Sequence, residues 1–300
     1  MRFLKQFCPE KRMKTALSRF FLLSLIVIAA AGCSAIRLAY NNADVFLYQS
    51  LDGFFDLDEQ QEQLSKSRIA TLLAWHRKQE LPVYTQWLAN LRDQVTAPMS
   101  AAQIRQLSED LTAKSDRVIM RALPDLAELA ATLTPANLKR LQERQAKQLA
   151  ETQKDYVEAP RAKQLDKRFE QLLSSVERLY GRFSPEQREK LRAASDARPL
   201  DHRNWLAERA RRQQELLAAL TQIASGKLPV AESTAKLREL AQRFSPSPDA
   251  QRRAYFERVN QSTYEVMALA TQIATDAQRQ TARQTLDGWI ADLSTLVAAK

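Results

Sequence analysis

Apolar residues recur with a helical period along almost the whole of this chain. Leu165, Phe169, Leu172, Leu173, Val176, Leu179, Tyr180 and Phe183 follow i, i+3, i+4, i+7 spacing. Ile104, Leu107, Leu111 and Val118 do the same, as do Leu216, Leu217, Leu220 and Ile223, and Leu286, Trp289, Ile290, Leu293, Leu296 and Val297. Each stripe needs a partner that covers it, and helix on helix is the simplest solution. No stretch shows the alternation of a half-buried strand. Beyond residue 32 glycine is confined to Gly53, Gly181, Gly226 and Gly288. The expected fold class is therefore all-α, a multi-helix antiparallel bundle.

Prolines punctuate these stripes, because proline is tolerated in a first helical turn and disrupts an interior. The spacing predicts helices at about 36–51, 58–79, 81–96, 101–121, 124–131, 136–158, 161–181, 186–195, 202–225, 231–243, 249–275 and 277–298. Four of the starts share one form. They are Leu57-Asp58-Glu59-Gln60-Gln61, Met99-Ser100-Ala101-Ala102-Gln103, Leu133-Thr134-Pro135-Ala136-Asn137 and Phe183-Ser184-Pro185-Glu186-Gln187. An apolar residue precedes Ser, Thr or Asp, and an amide follows three positions later. This is the chemistry of a capping box. Ile104 and Leu138 are spaced to staple onto Met99 and Leu133.

The N-terminus has a different character. The run Phe20–Ala31 is 12 residues long, whereas crossing a hydrocarbon core takes ~20 helical residues. Lys11, Arg12, Lys14 and Arg19 precede it and small residues follow, the order of a secretory signal peptide. Met13 is an alternative start within that segment. The run ends in Ala30-Ala31-Gly32-Cys33, which resembles the lipobox of bacterial lipoproteins, with Ala30 where leucine is commonest. The resemblance implies cleavage before Cys33 and acylation of that residue. Several acyl chains on one cysteine hold firmly where one would not. Ser34 follows, not Asp, which by the same resemblance implies the periplasmic face of the outer membrane. An ordinary cleaved signal with a free Cys33 is the alternative.

The expected division is thus a signal peptide at 1–32, a lipidated membrane-proximal segment at 33–50 and a helical periplasmic domain at 51–300. The length of that domain allows sub-lobes at 51–183 and 184–300. Residues 1–32 carry six Lys or Arg and one Glu, so their removal lowers the formal net charge from +10 to +5. That charge suits solubility and is too small to point to nucleic acid, which the envelope address argues against. Cys8 falls in the signal, so the domain has no disulfide and no thiolate chemistry. Tyr40, Phe46, Tyr48, Phe54 and Phe55 make the segment after Cys33 too apolar for a solvated tether. It is expected to pack on the body, or to place some rings in the lipid interface.

Trp75-His76-Arg77-Lys78-Gln79-Glu80-Leu81-Pro82-Val83-Tyr84 is the densest polar and aromatic cluster. Together with Tyr40-Asn41-Asn42-Ala43-Asp44, Phe55-Asp56-Leu57-Asp58 and Gln61, it resembles a family of proteobacterial lipoproteins known only by a domain of unknown function. The resemblance supports the lipoprotein address and implies no reaction. His76 and Glu80 stand at i and i+4 and share a helix face. The only other histidine is His202, beside Asp201, and a metal site needs more ligands than these. Trp75, His76, Arg77, Glu80 and Tyr84 are therefore candidates for a structural polar cluster or a binding patch, with no metal or cofactor expected. Arg203, Arg209, Arg211 and Arg212 with Trp205 form a basic tract interrupted by Glu208 and Glu215, which reads as a solvated helix face.

No glycine-rich phosphate loop, Gly-x-Ser-x-Gly or zinc-type spacing occurs. The expected function is that of a non-enzymatic lipoprotein that binds an envelope partner, with no small-molecule substrate indicated. The alternative is a membrane-tethered chaperone, because the repeated cap form also resembles the Leu-Thr-x-x-Gln motif of the Spy and CpxP type. A carboxylate-dependent hydrolase comes third. A large apolar concavity would favour the chaperone, and converging desolvated carboxylates would favour the enzyme.

Overall fold

A computed structural model describes residues 34–299 except 200, 245 and 246. Cys33 and the signal segment 1–32 lie outside the described residues. Those that are described form an all-α fold with no strand. The helices are α1 (Ser34–Asn41), α2 (Ala43–Phe55), α3 (Glu59–Trp75), α4 (Leu81–Gln94), α5 (Ala101–Thr132), α6 (Pro135–Thr152), α7 (Arg161–Tyr180), α8 (Pro185–Asp196), α9 (His202–Gly226), α10 (Val230–Phe244), α11 (Ala250–Ile273) and α12 (Asp276–Ala298). None is long and apolar enough to cross a membrane.

Two prolines expected to separate helices do not. α3 runs into α4 through one π-helical turn, His76–Glu80, closed by the Leu81 N–H donating to the His76 carbonyl. The wider turn falls just before Pro82, where a proline would otherwise collide with the preceding turn. Pro124 lies inside α5, which continues as a single helix to Thr132 instead of restarting at 124. The proline forfeits one backbone hydrogen bond there. Leu123, Ala127 and Ala130 beside it are buried in the core, and that packing offsets the loss. Conversely, the helix expected at 36–51 is divided at Asn42.

All four expected capping boxes form, at Asp58, Ser100, Thr134 and Ser184, and a fifth forms at Thr275 with Gln278. Four of the five also lock to one another in pairs. Gln61 Nε2 donates to Asn137 Oδ1 at 3.1 Å, and Asn137 Nδ2 donates to the carbonyls of Phe55 and Asp56 at 2.9 Å each. Gln187 Nε2 donates to Gln278 Oε1 at 2.9 Å and to the Ile273 carbonyl. Each lock joins the turn between two helices to the turn between two others, so a local signal fixes a long-range contact. At the apex of one locked turn, Gly181 ends α7 with φ +74°, a conformation that a side chain would strain.

Two apolar cores result. In the first, α4 packs on α12, and α7, α8 and α11 close around Val95, Val176, Tyr180, Phe183, Leu191, Ala270 and Leu286. The second gathers Leu123, Ala127, Ala130, Leu141, Leu220, Ile223 and Leu237 from α5, α6, α9 and α10. α5, about 48 Å long at 1.5 Å per residue, reaches both regions, packing on α11 as well as on α9 and α10. Each core draws residues from both sides of residue 183, so the cores divide in space and not along the sequence.

The first helices after Cys33 are less buried than their composition suggested. Arg37 Nε pairs with the buried Asp292 carboxylate at 3.0 Å, which straps α1 to α12. Phe54 and Phe55 pack on the second core. Leu38 is nonetheless 67% exposed and Phe46 60%. α2 packs against α3 and α6, and its remaining side carries apolar residues that no described element covers.

Candidate functional site

The predicted cluster assembles around the π-helical turn. His76 Nδ1 and Tyr40 Oη share a hydrogen bond of 3.0 Å, and the rings of Trp75 and Tyr84 meet His76 edge-on at 6.5 and 5.4 Å. Arg77 lies over Tyr40 at 5.4 Å. Burial lowers the pKa of His76, with the Glu80 carboxylate opposing that shift, so the imidazole is neutral at pH 7. Burial likewise raises the pKa of Tyr84, and Glu80 adds to it. Glu80 is fully buried and pairs with Arg117 Nη2 of α5 at 2.8 Å. All five candidate residues thus lie together, and they join α1, the π turn, α4 and α5. Their contacts run to one another and to Tyr40, Arg117 and Arg121 on neighbouring helices. Among the described residues no group of three or more His, Cys, Asp or Glu side chains is placed to hold a metal ion.

The open chemistry lies elsewhere, in a concavity of about 610 Å³ between α2, α5, α9 and α10. Its floor is Leu123, Leu129, Ala130, Leu133, Leu220 and Leu237, which belong to the second core or adjoin it. Its sides include Leu51 and Phe55 of α2, Ile119 and Leu126 of α5, and Phe244 of α10. Ile119 and Leu126 are exposed although aliphatic. A volume of this size falls within the ~300–1,000 Å³ of sites that bury small ligands, and an apolar wall exposed to water is a standing cost that a bound apolar group removes. Asp116 and Gln242 supply polar groups at its edge.

A second concavity, of about 350 Å³, lies against Trp205, Arg209, Arg212, Arg253 and Phe256. Beneath it the buried Glu208 accepts from Arg211, from Arg212 Nε at 3.1 Å, from Arg252 Nη1 at 3.1 Å and from Ser247 Oγ at 3.3 Å. Burial alone would raise the Glu208 pKa, but the three guanidinium groups outweigh it and hold the carboxyl at about 2. The basic tract read as a solvated face is therefore organised around a buried carboxylate.

Neither concavity was apparent in the sequence. The apolar one draws its residues from separate stripes, each of which reads as ordinary core, and the other from a basic tract that reads as a solvated helix face. The one local signal was Ile119 and Leu126, apolar positions of α5 that stay exposed at the larger concavity. No curated protein and no solved structure matches the chain. One family, described as a family of unknown function (DUF6279), matches residues 53–246, and the chain belongs to that family.

Proposed function

We propose that this protein is a non-catalytic, lipid-anchored binder of an apolar envelope component. Acylated Cys33 would hold it on the periplasmic face of the outer membrane, and the concavity between α2, α5, α9 and α10 would take the ligand. The observation that carries the reading is the concavity itself, a pre-formed apolar site whose lining residues, Leu51 apart, all lie within the family match at 53–246. Exposed Leu38 and Phe46 support the tether, since apolar side chains on the helices nearest Cys33 gain by entering a lipid interface.

Two experiments test this reading. Titrating the purified chain that begins at Ser34, which retains both cores, with the neutral fluorescent probe 1-N-phenylnaphthylamine should give saturable one-site binding. Leu126→Asp, which puts a charge on the exposed apolar wall and leaves the buried floor intact, should weaken it at least about tenfold, the order expected when a well-matched apolar contact of ~1.5–3 kcal/mol is lost. Non-saturating fluorescence identical in both proteins would dismiss the site. For the anchor, Cys33→Ala or globomycin treatment should leave an unprocessed precursor, and normal maturation would refute lipidation.

A membrane-tethered chaperone of the Spy and CpxP type is a second reading, favoured by the exposed aliphatic wall of Ile119 and Leu126. It requires that the purified chain suppress aggregation of a denatured client.

A further inference from the structure

The apolar concavity and the arginine-lined one are neighbours. The Arg212 guanidinium carbon lies 5.9 Å from the centre of the Phe244 ring. Phe244 lines the apolar cavity and Arg212 lines the other. On α9, Arg209, Arg212, Leu216 and Leu220 fall at i, i+3, i+7 and i+11, which places them on one face. The first two border the smaller cavity and the last two the larger. One helix face therefore passes from cationic to apolar across the junction.

The charge at the smaller cavity is not spent internally. Glu208 is taken up by Arg211, Arg212 and Arg252, and Arg211 also pairs with Glu215. Among the described residues Arg209 and Arg253 pair with no carboxylate. Arg209 Nη2 donates to Gln148 Oε1 at 3.1 Å, and Arg253 Nη1 to the Ser247 carbonyl at 2.8 Å. Arg212 reaches Glu208 through Nε alone. Glu257 also stands at the rim, so the cavity's own lining sets the guanidinium groups of Arg209, Arg212 and Arg253 against the carboxylates of Glu208 and Glu257. Trp205, with Arg209 over its ring at 5.4 Å, and Phe256 give the site apolar flanks.

We infer that the two cavities form one groove for an anionic amphiphile, with an alkyl or acyl chain in the apolar part and a phosphate or carboxylate head at Arg209, Arg212 and Arg253. The inference rests on the reading of the apolar cavity as a binding site, and it adds the ligand's class and polarity. Guanidinium groups suit such heads because they donate two parallel hydrogen bonds to one anion.

Calorimetric titration of the chain beginning at Ser34 with decyl phosphate, decanol and inorganic phosphate, each below micelle formation, tests it. Decyl phosphate should bind at least about a hundredfold more tightly than decanol, as two charge-assisted contacts would give. In Arg209→Gln/Arg253→Gln that preference should fall to within about threefold. In the parent protein, raising salt should weaken decyl phosphate and leave decanol unchanged, a readout that does not depend on the variant folding. Equal affinity for decyl phosphate and decanol overturns the inference and leaves the apolar site standing. Inorganic phosphate binding as tightly as decyl phosphate assigns the arginines to a free anion, and overturns it as well. If neither decanol nor decyl phosphate binds, the underlying reading of the cavity fails with it.

Discussion

Glu208→Gln should destabilise the folded chain by about 3 kcal/mol at pH 7, read as a lower midpoint of urea unfolding. The carboxyl has an ordinary pKa of 4.5 and is held at about 2 by its arginines. A depression of that size corresponds to roughly 3 kcal/mol at ~1.4 kcal/mol per unit. The Glu208 side chain is buried, so solvent screens it less than a surface pair, although Arg212 and Arg252 are partly exposed. Removing one member of a buried ion cluster typically costs ~3–5 kcal/mol, because the partners are left uncompensated. Here those partners are Arg211, Arg212 and Arg252. The sign with pH follows from the depressed pKa. The stabilisation is complete above about pH 4.5 and is lost as pH falls towards 2, so the difference between the parent and Glu208→Gln should narrow over that interval. A variant with an unchanged midpoint at pH 7 would show that Glu208 does not organise the cluster.

Phe183→Ala should cost about 3–5 kcal/mol, the range for truncating a fully buried aromatic side chain. Phe183 is buried at the turn between α7 and α8, with its ring edge-on to Tyr180 at 6.4 Å. It also directly precedes the Ser184 cap that locks to Gln278 through Gln187. The cavity left by truncation lies where two helical turns are joined, so little can collapse into it. Thermal unfolding followed by circular dichroism checks this, and a loss below about 1 kcal/mol would mean that the first core does not close on this residue.

The sequence carried these elements unevenly. Caps were legible because their chemistry is local. Asp58, Ser100, Thr134 and Ser184 each sit three residues before the amide they engage. Thr275 was missed because Ala274, not a large apolar residue, precedes it. Prolines misled in the other direction. Pro124 is carried through α5 by buried neighbours, and Pro82 is absorbed by a widened turn, both consequences of tertiary packing. His76 and Glu80 were legible as a shared face, whereas their partners Tyr40 and Arg117 are distant in sequence. The groove was hidden for the same reason. Leu123, Leu220 and Leu237 look like core residues, and only the arrangement of four helices leaves a space above them. Glu208 interrupts the arginine tract in sequence, but it is buried beneath the guanidinium groups in space.

The most direct measurement is photolabelling with a decyl phosphate that carries a diazirine at the far end of its alkyl chain, followed by mass-spectrometric mapping on the purified chain. The account predicts adducts confined to α2, α5, α9 and α10, with Ile119, Leu126, Leu216 and Phe244 among the modified positions. Adducts spread over the whole surface, or concentrated on α4, α7 and α12, would contradict it.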